Sequence, residues 1–297
     1  KVAVFEIIKD TFNADEVNVI MKKEGVGFRC FTWNRKEDNI NRKKIDEESE
    51  LYGITKLWDD GEIKKSFLSE NKKEIYIPIE RNNIKMALIV AKNEISGFTD
   101  AQLSITEVVK EHISVAFENA RLYYLAITDE LTKLYTQRHF RFCIEKEYLN
   151  YEKFGQKFTL LLCDIDNFKK INDTFGHPVG DNVLYGISRT IMNSIRDNDL
   201  AFRYGGEEFS VLLPSTDIES GKMVAERIRE NVEMTIYDKG NNNIRVTISI
   251  GCACCPSDAI KIRDLITLAD EALYCAKKTG KNRVIAANEV EILCKKS

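Results

Sequence analysis

Apolar residues follow three rhythms along this chain, and each predicts a different set of elements. Through about residue 100 the periods are short and mixed. Val2–Phe12 has helical spacing, and Glu16–Lys22 and Phe28–Trp33 read as strands. Thr32–Glu50 is polar and predicts a long loop. Glu74–Ile79 and Ile84–Ala91 predict a strand pair closed by the turn-rich Arg81-Asn82-Asn83. This first region has α+β character and shows no acid/base constellation.

Residues 101–128 follow a second rhythm. Val109, Ile113, Ala116, Ala120, Tyr123 and Ile127 recur at alternating steps of four and three, with no Pro or Gly between them. That is a heptad a/d row and predicts one long helix. A helix packed on its own domain would show a similar row. Its position between two domains favours a homodimer formed through this linker helix.

From Thr128 helices and strands alternate, which is α/β character. Helices are predicted at Phe140–Phe154, Val183–Ile195, Glu219–Val232 and Ile260–Thr279, the last stopped by Gly280. Phe158–Asp164 is a continuous apolar run of strand length, as expected of a central strand buried on both faces. Leu200–Tyr204 and Glu208–Leu213 form a hairpin about Gly205-Gly206. Ile244–Ala253 and Val284–Ala286 complete the strands.

Composition narrows the class. The chain has 297 residues, 43% of them apolar and 31% charged, which is a folded, non-repetitive composition of about two domains. Lys and Arg number 44 against 47 Asp and Glu, so nothing points to DNA or RNA. No apolar run approaches the length of a membrane span. The chain opens on Lys1, so it reads as a fragment whose upstream part could hold an anchor; a cytoplasmic location is expected. The 8 cysteines are irregularly spaced and mostly inside apolar runs, so free buried thiols are expected. That includes the C-x-x-C of Cys252 and Cys255.

Three segments carry candidate chemistry. Asp164-Ile165-Asp166 ends the buried strand, where ligands often bind in open α/β sheets. Carboxylates two apart on a strand share a face, and such oxygen donors suit Mg²⁺ or Mn²⁺. A solvated strand end is the plainer alternative. Next, Phe168-Lys169 begins a helix whose N–H groups suit phosphate. Asn172 through Asp181 is a polar stretch broken by Gly176, Pro178 and Gly180. Its Asn and Asp can read a purine edge. His177 falls in that loop, where bonding within its own turn is the simpler role. Last, Gly205-Gly206-Glu207-Glu208 sets two carboxylates beside a backbone that a ligand can approach closely.

Taken together these segments resemble the GGDEF family of diguanylate cyclases. The similarity runs from Asp129-x-Leu131-Thr132-x-Leu134 through the segments above to Ala269-Asp270-x-Ala272-Leu273-Tyr274-x-Ala276-Lys277-x-x-Gly280. It implies a palm-like nucleotide cyclase fold and condensation of two GTP into cyclic di-GMP with Mg²⁺. By position, Asp164, the Ile165 carbonyl, Glu207 and Glu208 match the metal ligands. Glu207 also matches the residue proposed to deprotonate the ribose 3′-hydroxyl. Phe168, Lys169, Asn172, His177, Asp181, Gly205 and Gly206 fall to the substrate, Asn172 and Asp181 as its guanine readers. Lys277 and Lys281 match the terminal-phosphate positions, the second often Arg. Arg196 and Asp199, with Arg227, match an inhibitory site for cyclic di-GMP. Lys133 stands where Gly is usual, and Thr136-Gln137 where Asn-Arg is usual. A catalytically idle receptor of GTP or cyclic di-GMP, a cyclase making another cyclic dinucleotide and a purely structural role are the alternatives.

More weakly, the first region resembles a GAF sensor domain, on Ile75–Ala91, Gly97-Phe98-Thr99-Asp100-Ala101-Gln102 and Glu118-Asn119-Ala120-Arg121-Leu122. The implied organisation is a GAF-like sensor at 1–100 with an unknown small-molecule ligand, a signalling helix at 101–128 and a cyclase domain at 129–297. Cys30 is expected in the core, not as a chromophore or metal ligand.

Overall fold

The computed structural model describes residues 2–23, 27–237 and 243–294. The chain divides into two compact units, Lys1–Tyr123 and Tyr124–Ser297. The first contains α1 (Val2–Phe12), β1 (Glu16–Lys23), β2 (Gly27–Asn34), β3 (Asn39–Ile45), α2 (Tyr52–Asp60), β4 (Phe67–Leu68), β5 (Glu74–Arg81), β6 (Ile84–Lys92) and most of α3 (Asp100–Ile127). Its antiparallel sheet has the order β3-β2-β1-β6-β5-β4. One face buries Val17, Val19, Ile77 and Ile89 with Phe5, Ile8 and Phe12 of α1 and Val109 and Ile113 of α3.

Two elements here depart from the sequence expectation. The polar Thr32–Glu50 stretch contains β3, whose residues are exposed except Ile45. An edge strand that buries one side chain has no apolar alternation to betray it. The heptad row of α3 is divided. Val109 and Ile113 are spent on the unit's own core, whereas Ala116, Ala120 and Tyr123 stay exposed.

The second unit contains β7 (Tyr135–Thr136), α4 (Gln137–Phe154), β8 (Phe158–Ile165), α5 (Phe168–Phe175), α6 (His177–Ser194), β9 (Leu200–Arg203), β10 (Glu208–Pro214), α7 (Ile218–Met234), β11 (Ile248–Cys255), α8 (Ile262–Lys278), β12 (Val284–Ala286) and α9 (Val290–Leu293). Sheet order is β12-β11-β8-β10-β9-β7, with β8 antiparallel to both neighbours. All eight β8 residues are buried, as the unbroken apolar run predicted. Alternation sends Leu161, Cys163 and Ile165 toward α6 and α7, and Phe158, Leu160 and Leu162 toward α4 and α8. The α8 backbone lies directly on β11. A Cβ on Gly251 would stand 2.2 Å from the Ala269 carbonyl oxygen, so only glycine admits that approach.

Two further expectations are corrected. The α6 helix begins at His177, six residues before the predicted start, because Pro178 sits in its first turn where no N–H is needed. The cysteines are not all free. The turn into α9 folds back on α8 and brings Cys275 and Cys294 to a Cα separation of 5.9 Å, where they form a disulfide. The other six, Cys252 and Cys255 included, are buried thiols. Among the described residues no helix is long and apolar enough to cross a membrane.

Candidate active site at the end of the central strand

Strand register assembles the carboxylates. Asp164 stands opposite Glu208 on β10 and opposite Ser249 on β11, so it shares a sheet face with both. Its side chain is 9% exposed and is met by the Lys277 ammonium at 2.7 Å. Burial pushes the Asp164 carboxyl above the usual range, against the pull of Lys277. Glu207, at the hairpin tip, is also raised, first by burial and then by the charge of Asp164. The negative charge of Asp164 thus acts on Glu207. Glu208 lies back over its own hairpin. A Cβ on Gly205 would come within 2.3 Å of its Oε2, so glycine makes room for that side chain.

The second carboxylate of the Asp164-Ile165-Asp166 motif has a different job. Asp166 accepts the hydroxyls of Thr247 and Ser249, each at 2.7 Å, and the Asn282 N–H at 3.0 Å. With three donors and 5% exposure it ties the strand end to β11 and to the 280–282 turn. Gly280, Lys281 and Asn282 all have positive φ, at 129°, 63° and 46°. That turn aims Lys281, whose Nζ donates to Asn167 Oδ1 at 2.5 Å. Asn167 precedes α5 in the left-handed region and makes no side-chain cap, so the first turn of α5 keeps N–H groups that its own helix does not use.

Asn172 lies on α5, the helix that follows β8. Its Oδ1 is buried and has no hydrogen-bond partner among the described residues. A Cβ on Gly180 would fall 1.9 Å from that oxygen and 3.3 Å from the Phe168 ring. The glycine of α6 thus creates the space in which Asn172 sits. An unsatisfied buried acceptor costs free energy unless a ligand supplies the donor. Asp181, His177 and Lys169 are exposed on the same α5–α6 segment.

One arginine was underread in sequence. Arg203, immediately before the hairpin, holds both Asp129 oxygens at 3.1 Å and the Gly206 carbonyl at 3.0 Å. Asp129 in turn accepts the N–H and hydroxyl of Thr132. The start of the unit is thereby strapped to the tip that carries Glu207. The only signal in sequence is the opposite charge of Asp129, at the start of the unit, and Arg203, beside the hairpin. Arg227 of α7 donates to the Ser194 carbonyl at 2.8 Å, beside a tight turn in which Arg196 N–H donates to Asp199. Of the three residues expected at an inhibitory site, Arg196 and Asp199 share that turn, and Arg227 bonds the last residue of α6 just before it.

Among the described residues no three His, Cys, Asp or Glu side chains converge as a ready metal cage. Mg²⁺ seldom needs one. It takes one or two carboxylates and completes its shell with water and substrate phosphate. Asp164 and Glu207, carboxylates near enough for the charge of one to act on the other, are a donor set that fits that demand.

The family description "Diguanylate cyclase, GGDEF domain" matches residues 126–283, over half of the sequence. The chain belongs to the GGDEF family. Diguanylate cyclase A of Treponema denticola is 36% identical over 215 residues, covering 70% of this chain and 58% of that protein. The GGDEF domain of DgcB from Caulobacter crescentus, solved in complex with c-di-GMP, superposes with a TM-score of 0.51 at 33% identity, covering 55% of this chain and 96% of that one. Diguanylate cyclase SiaD of Pseudomonas aeruginosa, solved with its activator SiaC, gives a TM-score of 0.55 at 31% identity, covering 62% of this chain and 70% of that one. The chain spans between 36% and 58% of the length of the first curated relatives it matches.

Proposed function

We propose that the chain is a diguanylate cyclase condensing two GTP into cyclic di-GMP and two pyrophosphates. The observation that carries this reading is Asp164, Glu207 and Lys277 gathered at the end of β8, followed on the next helix by the unsatisfied Asn172 Oδ1. Asn172 and Asp181 read the guanine edge. The N–H groups of Phe168 and Lys169, with Lys277 and Lys281, take the phosphates. Gly205 and Gly206 keep the hairpin clear for the nucleotide, and His177 borders the same loop. Glu207 accepts the proton of the ribose 3′-hydroxyl, whose oxygen attacks the α-phosphorus of a second GTP. Asp164, the Ile165 carbonyl, Glu207 and Glu208 are the donors for Mg²⁺ or Mn²⁺, which when bound supplies charge stabilisation for displacement at phosphorus.

Each GTP must meet another protomer's, so a homodimer follows from the chemistry. The exposed a/d row Ala116, Ala120 and Tyr123, flanked by Leu122 and Leu125 at 51% and 54% exposure, supports pairing through α3. The six-stranded first unit serves as a GAF-like sensor. Arg196, Asp199 and Arg227 bind product as a feedback inhibitor.

The test of substrate reading is Asn172→Ala assayed with GTP and with ATP. Its KM for GTP should rise about tenfold while the discrimination against ATP falls. Unchanged KM and unchanged discrimination would remove Asn172 from the nucleotide site.

A further inference from the structure

The two faces of the first sheet differ in a way that packing alone does not require. One face is apolar throughout its centre. The other is apolar over Ile20, Cys30, Leu88 and Val90, beneath Trp58. Strand alternation then puts Glu16, Asn18, Thr32 and Lys92 on this same face. Asn18 stands opposite Thr32, and Glu16 opposite Lys92. Asn18 is 2% exposed. It accepts the Thr32 hydroxyl at 2.7 Å and the Cys30 thiol at 3.5 Å, and donates to Glu16 at 2.7 Å. Lys92 pairs with Glu74 at 3.2 Å and reaches Glu50 at 3.9 Å. Over this row lies a cavity of about 380 Å³, bounded on its far side by Lys43 of β3 and by Ser49, Glu50 and Leu51. A covered sheet face ordinarily carries apolar side chains, because buried amides and charges lose hydration.

We propose that this cavity binds a free α-amino acid or a zwitterion of that size. Its volume falls at the small end of ligand pockets, which run from about 300 to 1,000 Å³. Both signs line it: Lys43, Lys44 and Lys92 against Glu16 and Glu50. A zwitterion meets both at once. A simple anion would face Glu16 and Glu50, and a simple cation would face the three lysines. The apolar wall is small, Ile45 and Leu51, so a short or polar side chain fits better than an aromatic one. Burial raises the Cys30 thiol, which stays neutral and serves as wall, not as nucleophile.

Binding is measured on the full chain without GTP, so the result stands apart from the cyclase reading. The probes are the twenty common amino acids, with succinate and putrescine as single-signed controls, followed by thermal shift and calorimetry. One or more amino acids should raise Tm by several degrees at saturation, and neither control should. Glu50→Gln and Lys43→Ala, both at the exposed rim, should leave the free chain's Tm unchanged and each weaken binding by about tenfold. The proposal is overturned if no amino acid binds, if a control binds as tightly, or if both variants bind as the parent does.

Discussion

Lys133 shows what one side chain costs when it stands where the backbone turns the wrong way for it. Its φ is 59°, in the left-handed region, and it is exposed in the turn that Asp129 closes. That explains why Gly is usual at this place. Lys133→Gly should stabilise the second unit by about 1 kcal/mol, read as a higher denaturation midpoint with unchanged slope. No gain would mean that the turn holds its own strain by contacts not evident in its geometry. At this scale the sequence was informative wherever a residue type has one chemical use. Asn172, Lys277, Glu207 and Gly205 were singled out by residue type and spacing, and their roles in the site are those proposed. The sequence was silent where a residue acts through another. Asp166 reads as a second metal ligand until its three donors are seen, and Arg203 has no role in sequence until it spans Asp129 and Gly206.

The helices of the second unit are held by caps as well as by their apolar faces. Asp217 caps α7 by accepting the Ser220 N–H at 3.0 Å and also meets Lys157 at 3.0 Å. Those donors, the Ser220 N–H first, hold its carboxyl well below the usual range. A carboxyl lowered in the folded state stabilises above its unfolded pKa and loses that effect as pH falls. Asp217→Ala should therefore lower Tm at pH 7, and the gap should narrow below about pH 4. A gap independent of pH would assign the loss to packing. Elements with strong apolar periods were legible to within a few residues, β8 and β12 almost to the residue. Those that were not share a physical cause. Strand β3 buries one side chain, and α6 starts on a polar turn fixed by Pro178. The Cys275–Cys294 bridge depends on a chain reversal that spacing in sequence does not encode.

At the scale of the molecule, the heptad row of α3 is divided. Val109 and Ile113 close the core of the first unit, whereas Ala116 and Ala120 are exposed, and the proposed dimer pairs through them. Ala120→Glu should shift the chain toward monomer in sedimentation equilibrium and lower GTP turnover per protomer, with little change in Tm. Equal dimer content and equal turnover would contradict pairing through α3. The proposed reaction is read most directly as turnover of GTP with Mg²⁺, products resolved by mass, for the parent chain and for Glu207→Gln, each first stripped of bound nucleotide. The parent should yield cyclic di-GMP and pyrophosphate, and the variant neither. A parent chain that binds GTP as a dimer yet forms no cyclic di-GMP, or a Glu207→Gln chain that forms it at the parent rate, would contradict it.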